Sequence, residues 1–167
     1  SCVRRRYDSL APAPDPRGVD WNRCAELMLR HRILPIVYRQ IEGVGELVPD
    51  GAREHLKNLY VSNTARNMAR VEDLRRLTRR LETQGLPMMV LRGPVLAAAV
   101  YGDLSLRQFS DLDMLVRRED VSRISEILSL EGYQPHFRLD DRQEQALIRF
   151  RTERCFVRGA DRSVVDL

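Results

Sequence analysis

Cysteine, lysine and long apolar runs are all scarce in this sequence. The 167 residues include three cysteines, which are too few and too scattered for a disulfide framework or a zinc site. No apolar run approaches the roughly 20 residues that a membrane-spanning helix needs. Arg4, Arg5 and Arg6 lead into polar, proline-rich sequence instead of the apolar segment of a secretory signal. We therefore expect a cytoplasmic protein that does not enter the membrane.

The positive charge is carried almost entirely by arginine. The formal net charge is +4, and Lys57 is the only lysine in the chain. Hydrophobic residues make up 43% of the sequence and charged residues 31%, a balance that suits one folded domain, or one domain with a helical extension. A basic surface can bind nucleic acid, but a net charge of this size does not require such a partner.

The first 85 residues predict a leader followed by helices. Residues 1–18 are rich in proline and end on Gly18, which is typical of a flexible leader. Residues 19–85 show helical spacing of apolar residues, and this spacing predicts helices over 21–31, 33–41 and 50–84. Asp20 is placed to cap the first helix, and Gly85 is placed to end the last one.

The long helix is predicted to have one apolar and one basic face. The apolar face would hold Leu56, Leu59, Ala65, Met68, Val71, Leu74, Leu77 and Leu81. The basic face would hold Arg66, Arg70, Arg75, Arg76, Arg79 and Arg80. Two interpretations of the basic face stay open: a solvated helix surface, or a surface from Arg66 to Arg80 that contacts phosphates or RNA.

Residues 86–167 predict an α+β core with a mixed sheet. Apolar alternation and turn signals predict strands near residues 86–91 and 111–116, a short strand over 133–139, and a hairpin of 154–158 with 163–167. Helices are predicted after Gly93, over 118–132 and over 140–150, and Cys155 is expected to face the core. Because the sequence stops inside an apolar strand, we expect this core to continue beyond Leu167.

Three acidic residues in this core are candidates for chemistry. Alternate side chains of a strand share a face, so Asp111 and Asp113 project together while Leu112 points into the core. Two adjacent carboxylates are best tolerated with a cation between them, and oxygen ligands suit a hard metal ion. Asp166 lies in another apolar strand and is either a surface group at an edge or a third ligand.

The order of motifs over residues 86–116 resembles a known superfamily. Leu91-Arg-Gly-Pro94 precedes an alanine-rich helix, and Leu106-Arg107 precedes the strand Phe109-Ser-Asp-Leu-Asp-Met-Leu-Val116. This order is similar to that of nucleotidyltransferases of the DNA polymerase beta type. Within them, the chain resembles the bacterial uncharacterised nucleotidyltransferase family. Trp21, residues 30–35 and the long arginine-rich helix resemble that family's helical N-terminal part.

The resemblance implies a polymerase beta-like fold preceded by a helical region, and a metal-dependent transfer of a nucleoside monophosphate from an NTP. The acceptor would be a hydroxyl or similar group on a small molecule, a peptide or RNA such as tRNA, and pyrophosphate would be released. By this resemblance Asp111, Asp113 and Asp166 are the catalytic residues and the ligands of two Mg²⁺ or Mn²⁺ ions. The nucleotide-binding residues would be Arg92, Gly93, Pro94 and Arg107.

Two features leave alternatives open. Pro94 stands where the superfamily has serine or glycine, and proline lacks an N–H that could hold a phosphate. This favours a second hypothesis, in which the fold is catalytically degenerate and binds a nucleotide or a partner without turnover. Arg107 has an equally good structural interpretation, which is a salt bridge that braces the loop before Phe109.

Overall fold

The computed structural model describes residues 18–43, 48–137, 140, 142–143, 153–159 and 163–167. The α-helices in these residues are α1 (Trp21–Arg30), α2 (Leu34–Glu42), α3 (Asp50–Thr83), α4 (Pro94–Tyr101) and α5 (Val121–Leu130). The strands are β1 (Met88–Val90), β2 (Asp111–Val116), β3 (Tyr133–Pro135), β4 (Cys155–Arg158) and β5 (Ser163–Asp166). Short 3₁₀ helices, Leu104–Leu106 and Arg118–Asp120, precede β2 and α5.

The strands form one mixed sheet in the order β1-β2-β5-β4-β3. β2 and β5 pair in parallel, and the other neighbouring strands pair antiparallel. Because side chains alternate along a strand, the sheet has two different faces. The covered face packs on α3 and α5 through Leu112, Met114, Phe156 and Val165. The open face carries Met89, Leu115, Asp111, Asp113, Cys155 and Asp166.

A second apolar core lies among the three N-terminal helices. It contains Ala25 of α1, Leu34 and Tyr38 of α2, and Leu56 near the start of α3. The other end of α3 contributes Leu77 and Leu81 to the core under the covered face. α3 therefore belongs to both cores and joins the helical region to the sheet.

Most of the predicted elements are confirmed. Asp20 caps α1, because its carboxylate accepts a hydrogen bond from the backbone N–H of Arg23 at 3.0 Å. The hairpin of β4 and β5 forms as expected. The helix predicted from residue 118 begins with a 3₁₀ turn, and α5 itself starts at Val121. The predicted helix over 140–150 lies mostly outside the described residues, although Asp140 and Gln143 exchange the reciprocal hydrogen bonds typical of a helix start.

The predicted apolar face of α3 is wrong in its middle. Ala65 is exposed, and Met68 retains 43% of its accessible surface. The buried residues there are polar, namely Asn63, Asn67, Arg70 and Asp73. Polar side chains are buried when they find hydrogen-bond partners, and these four meet backbone carbonyls and charged groups that the periodicity of α3 does not reveal.

The predicted basic face of α3 also changes. Arg70 is buried, so it does not belong to an exposed face. Arg76 and Arg80 form ion pairs with Glu131, which follows α5, and Arg75 lies 3.9 Å from Glu72. Part of the positive charge is thus balanced within the protein. Among the described residues, none of the helices has the length and apolar character required to cross a membrane.

Candidate functional site

Strand register brings the predicted acidic residues together on the open face. In the parallel pair of β2 and β5, Asp113 lies opposite Asp166, and Asp111 lies opposite Val164. Residues opposite each other in a sheet share a face, so all three carboxylates project to the same side. Asp166 therefore lies beside the pair on a neighbouring strand, as expected, while the roles of the three residues stay predictions.

Asp166 lies in an electrostatic environment that favours its protonated form. Burial is the largest cause of its raised pKa, and the nearby charges of Asp111 and Asp113 raise the pKa further. The thiol of Cys155 opposes them, because it donates a hydrogen bond to the Asp166 carboxylate. Positive charge at this position would relieve the repulsion among the three carboxylates.

Cys155 faces the open side of the sheet, and the expectation that it faces the core is wrong. Its cross-strand partner is Asp166, whereas the next residue, Phe156, is fully buried on the covered face. Burial, together with the hydrogen bond to Asp166 and its charge, raises the pKa of the Cys155 thiol to about 11. The thiol is therefore protonated at neutral pH and acts as a hydrogen-bond donor.

The turn at Gly93 packs directly against the start of β2. Gly93 has a φ of +58°, in the region that favours glycine. A Cβ atom there would lie 3.4 Å from the carbonyl oxygen of Asp111 and 3.8 Å from the ring of Phe109. A side chain at this position would strain the backbone beside the acidic cluster. Pro94 follows as the first residue of α4, where its missing N–H costs no helical hydrogen bond.

The two arginines predicted to bind nucleotide are placed differently. Arg92 is exposed at the turn. Arg107 is half-buried, and its guanidinium donates a hydrogen bond to the Gly93 carbonyl at 3.3 Å. The bracing contact of Arg107 is thus a hydrogen bond to the backbone of the turn. It fixes the turn to the loop that precedes β2.

The buried polar residues of α3 hold that same loop. The side-chain amide of Asn67 donates to the carbonyls of Leu104 and Arg107, both at 2.7 Å. Arg70 donates through Nε to the Ser110 carbonyl at 3.3 Å. These hydrogen bonds give three carbonyl groups of the loop partners on α3. α3 therefore sets the position from which β2 and its two aspartates begin.

Glu153 is a further carboxylate at the cluster, and sequence reasoning missed it. A carboxylate oxygen of Glu153 and one each of Asp113 and Asp166 all lie within 4.8 Å of one another. Glu153 itself is exposed and lies two residues before Cys155. Asp111 is on the same face but is not in this group of three.

Comparison with known protein families gave a match over most of the chain. The profile of one family, described as an uncharacterised nucleotidyltransferase, matches residues 17–167. The chain belongs to that family. Comparisons with curated proteins and with solved structures gave no significant match. Membership of a nucleotidyltransferase family supports a transferase whose donor is a nucleoside triphosphate.

The acidic cluster of this nucleotidyltransferase-family chain fits a hard divalent cation. Its donors are carboxylate oxygens, which suit Mg²⁺ or Mn²⁺. Three of them are close enough to share one ion. Burial is the main cause of the raised pKa of Asp166, and the charges of Asp111 and Asp113, which a cation would offset, raise it further.

Proposed function

We propose that this protein transfers a nucleoside monophosphate from an NTP to a hydroxyl or similar acceptor on a small molecule, a peptide or RNA, with release of pyrophosphate. The observation that carries the proposal is the register that sets Asp113 opposite Asp166 on the open face. Family membership supplies the reaction class, and the carboxylates supply groups suited to the metal ions that phosphoryl transfer generally requires.

The cation-binding residues in this proposal are Asp111, Asp113 and Asp166. Bound there, two Mg²⁺ or Mn²⁺ ions would neutralise charge on the triphosphate and on the oxygens of the transferred group. The carboxylates would hold the cations next to the Gly93 turn, because the backbone of Asp111 packs against that turn.

The nucleotide-binding residues in this proposal are those of the turn. Gly93 lets the backbone approach the triphosphate closely, and the N-terminus of α4 favours negative charge beside it. Arg92 is exposed and can pair with a phosphate, whereas Arg107 keeps the turn in place through the Gly93 carbonyl. Pro94 would contribute shape and no hydrogen bond.

The residues proposed to act on the acceptor are Asp166 and basic residues at the surface. With a cation bound beside it, Asp166 would be ionised, and its carboxylate would take the proton of the acceptor hydroxyl. An RNA acceptor would be held by the exposed arginines between Arg66 and Arg80. Arg70 is excluded from that contact because it is buried.

A transfer assay tests the proposal. The protein is incubated with each α-labelled NTP, with Mg²⁺ or Mn²⁺, and with total tRNA or cell extract, and the labelled products are separated. Asp113→Asn should lower transfer by about 10²-fold to 10³-fold or more, the range for loss of one electrostatic stabiliser. Glu126→Gln, on the exposed side of α5, removes the same charge away from the site and should leave transfer unchanged.

Retained transfer by Asp113→Asn, with a folded protein by circular dichroism, would contradict the catalytic assignment. No labelling with any NTP would favour the second candidate, a degenerate fold that binds nucleotide or a partner without turnover. Pro94, which removes one N–H from the turn, is the observation that favours this candidate. In a thermal-shift experiment, stabilisation only by NTP with metal supports the proposed nucleotide and metal site, and the transfer assay then separates turnover from binding.

A further inference from the structure

Glu153 is held next to the end of β5 by backbone pairing. Its neighbour Arg154 exchanges two hydrogen bonds with Leu167, from Arg154 N–H to the Leu167 carbonyl at 3.1 Å and from Leu167 N–H to the Arg154 carbonyl at 3.0 Å. This extends the antiparallel ladder of β4 and β5 by one residue beyond the strands. Glu153 therefore emerges beside the same strand end that carries Asp166.

Alternation directs Glu153 to the open face. Cys155, two residues later, is the cross-strand partner of Asp166 and donates a hydrogen bond to its carboxylate. Residues two apart in an extended segment point to the same side. The distances agree, since one carboxylate oxygen each of Glu153, Asp113 and Asp166 lie within 4.8 Å of one another.

We infer that Glu153 is an additional ligand of the divalent cation held by Asp113 and Asp166, so that the acidic site contains four carboxylates. The inference rests on the proposed function, because it concerns the same site. Glu153 is exposed whereas Asp113 and Asp166 are partly buried. Glu153 would thus close the solvent-facing side of the cation site. Asp111 lies two residues before Asp113 on β2, opposite Val164, and its charge also acts on Asp166.

Mn²⁺ binding, measured on the whole chain without any reaction, tests this inference. Free Mn²⁺ is quantified by electron paramagnetic resonance in a titration, with and without a non-hydrolysable α,β-methylene NTP. Glu153→Gln should raise the Mn²⁺ Kd at least about 10-fold, as loss of residues at metal sites typically does. Asp113→Asn should do the same, and Glu126→Gln, with an equal change in net charge, should bind like the wild type.

The outcomes separate this inference from the function on which it rests. If Asp113→Asn loses affinity but Glu153→Gln binds like the wild type, Glu153 is not a ligand and the proposed function stands. If Asp113→Asn also binds like the wild type, or the wild type binds no Mn²⁺ in either condition, the metal site itself is wrong. If Glu153→Gln and Glu126→Gln weaken Mn²⁺ binding equally, the effect comes from net charge alone and the inference is overturned. Urea unfolding of each variant checks that the fold is intact.

Discussion

The two faces of the sheet are built from alternate residues of the same strands, yet they differ in almost every physical property. On β2, Leu112 and Met114 are buried under α3 and α5, whereas Asp111 and Asp113 face the open side. On β5, Val165 is fully buried and Asp166 lies beside Asp113. The covered face gains stability from removing apolar surface from water, and the open face brings like charges together at a cost.

Residues that stabilise the fold and residues proposed to bind metal therefore alternate along the same strands. Substitutions on the covered face should change the free energy of unfolding, and substitutions among the open-face carboxylates should change metal binding and transfer. Natural sites commonly hold unfavourable groups where function needs them. The following experiments test how cleanly the two faces can be separated.

The largest effect is expected at Asp73, a buried charge beneath the covered face. Its carboxylate accepts hydrogen bonds from Arg158 at 2.6 Å, Arg76 at 2.9 Å and the hydroxyl of Ser163 at 3.1 Å. Asp73→Asn leaves buried positive charge without its partner and should cost about 3–5 kcal/mol of unfolding free energy. The measurement is urea unfolding followed by circular dichroism.

The matched control for Asp73 is its neighbour Glu72. The Glu72 side chain is 70% exposed and lies 3.9 Å from Arg75. A solvent-exposed pair of this kind contributes little, so Glu72→Gln should change the unfolding free energy by less than about 0.5 kcal/mol. Similar losses for the two variants would mean that Asp73 does not connect α3 to β4 and β5.

The next largest effect compares two leucines of β2. Leu112 on the covered face has no exposed surface, and Leu115 on the open face is 56% exposed. Leu112→Ala should cost about 2–5 kcal/mol through lost burial and a cavity, whereas Leu115→Ala should stay within about 0.5 kcal/mol. Equal losses in urea unfolding would show that the open face is packed in solution.

A smaller effect is expected at Asn67, which holds the loop leading to the open-face aspartates. Asn67→Ala leaves the Leu104 and Arg107 carbonyls without this donor, which should cost about 1–3 kcal/mol. Asn58→Ala, on the exposed side of α3, should be neutral or slightly stabilising, since alanine is the better helix former. If both variants unfold at the wild-type urea concentration, the loop does not depend on Asn67.

Alternation along strands was enough to predict much of this arrangement. Charged residues within apolar runs showed that Asp111 and Asp113 share a face opposite Leu112, and the observed register agrees. Helix ends were also predictable, since Asp20 and Gly85 are residue types that begin and end helices. These features depend on neighbours within a few residues, which is the information that a sequence displays directly.

The features that sequence reasoning missed depend on distant contacts. Glu153 precedes a strand, and only the pairing of Arg154 with Leu167 brings it to Asp166. Cys155 and Phe156 are both apolar, so alternation alone could not decide which faces the core. The polar row of α3 has helical spacing, but its burial follows from loop carbonyls about 40 residues away in the sequence.

The smallest expected effect is the pH dependence that distinguishes Asp166 on the open face from Asp103, near the start of the loop. The pKa of Asp103 is lowered, chiefly by hydrogen bonds from the Ser105 hydroxyl and N–H. The folded state therefore favours its ionised form, and this stability is present above the unfolded pKa and lost as pH falls through the folded pKa. Asp166 has the opposite effect on stability. Because its pKa is raised in the folded protein, its ionisation lowers the stability as the pH rises above 3.8, the ordinary pKa of this carboxyl group.

In metal-free buffer, Asp166→Asn should therefore be more stable than the wild type at neutral pH, and the difference should vanish in acid. Asp103→Asn should be less stable at neutral pH, and its difference should also shrink in acid. Urea unfolding from about pH 3 to about pH 8, which spans the titration of carboxyl groups, measures both slopes. Added Mg²⁺ should reverse the order for Asp166 alone, because a bound cation stabilises the ionised carboxylates. Lower stability of Asp166→Asn at every pH, with no response to Mg²⁺, would make its carboxylate a structural group like that of Asp103.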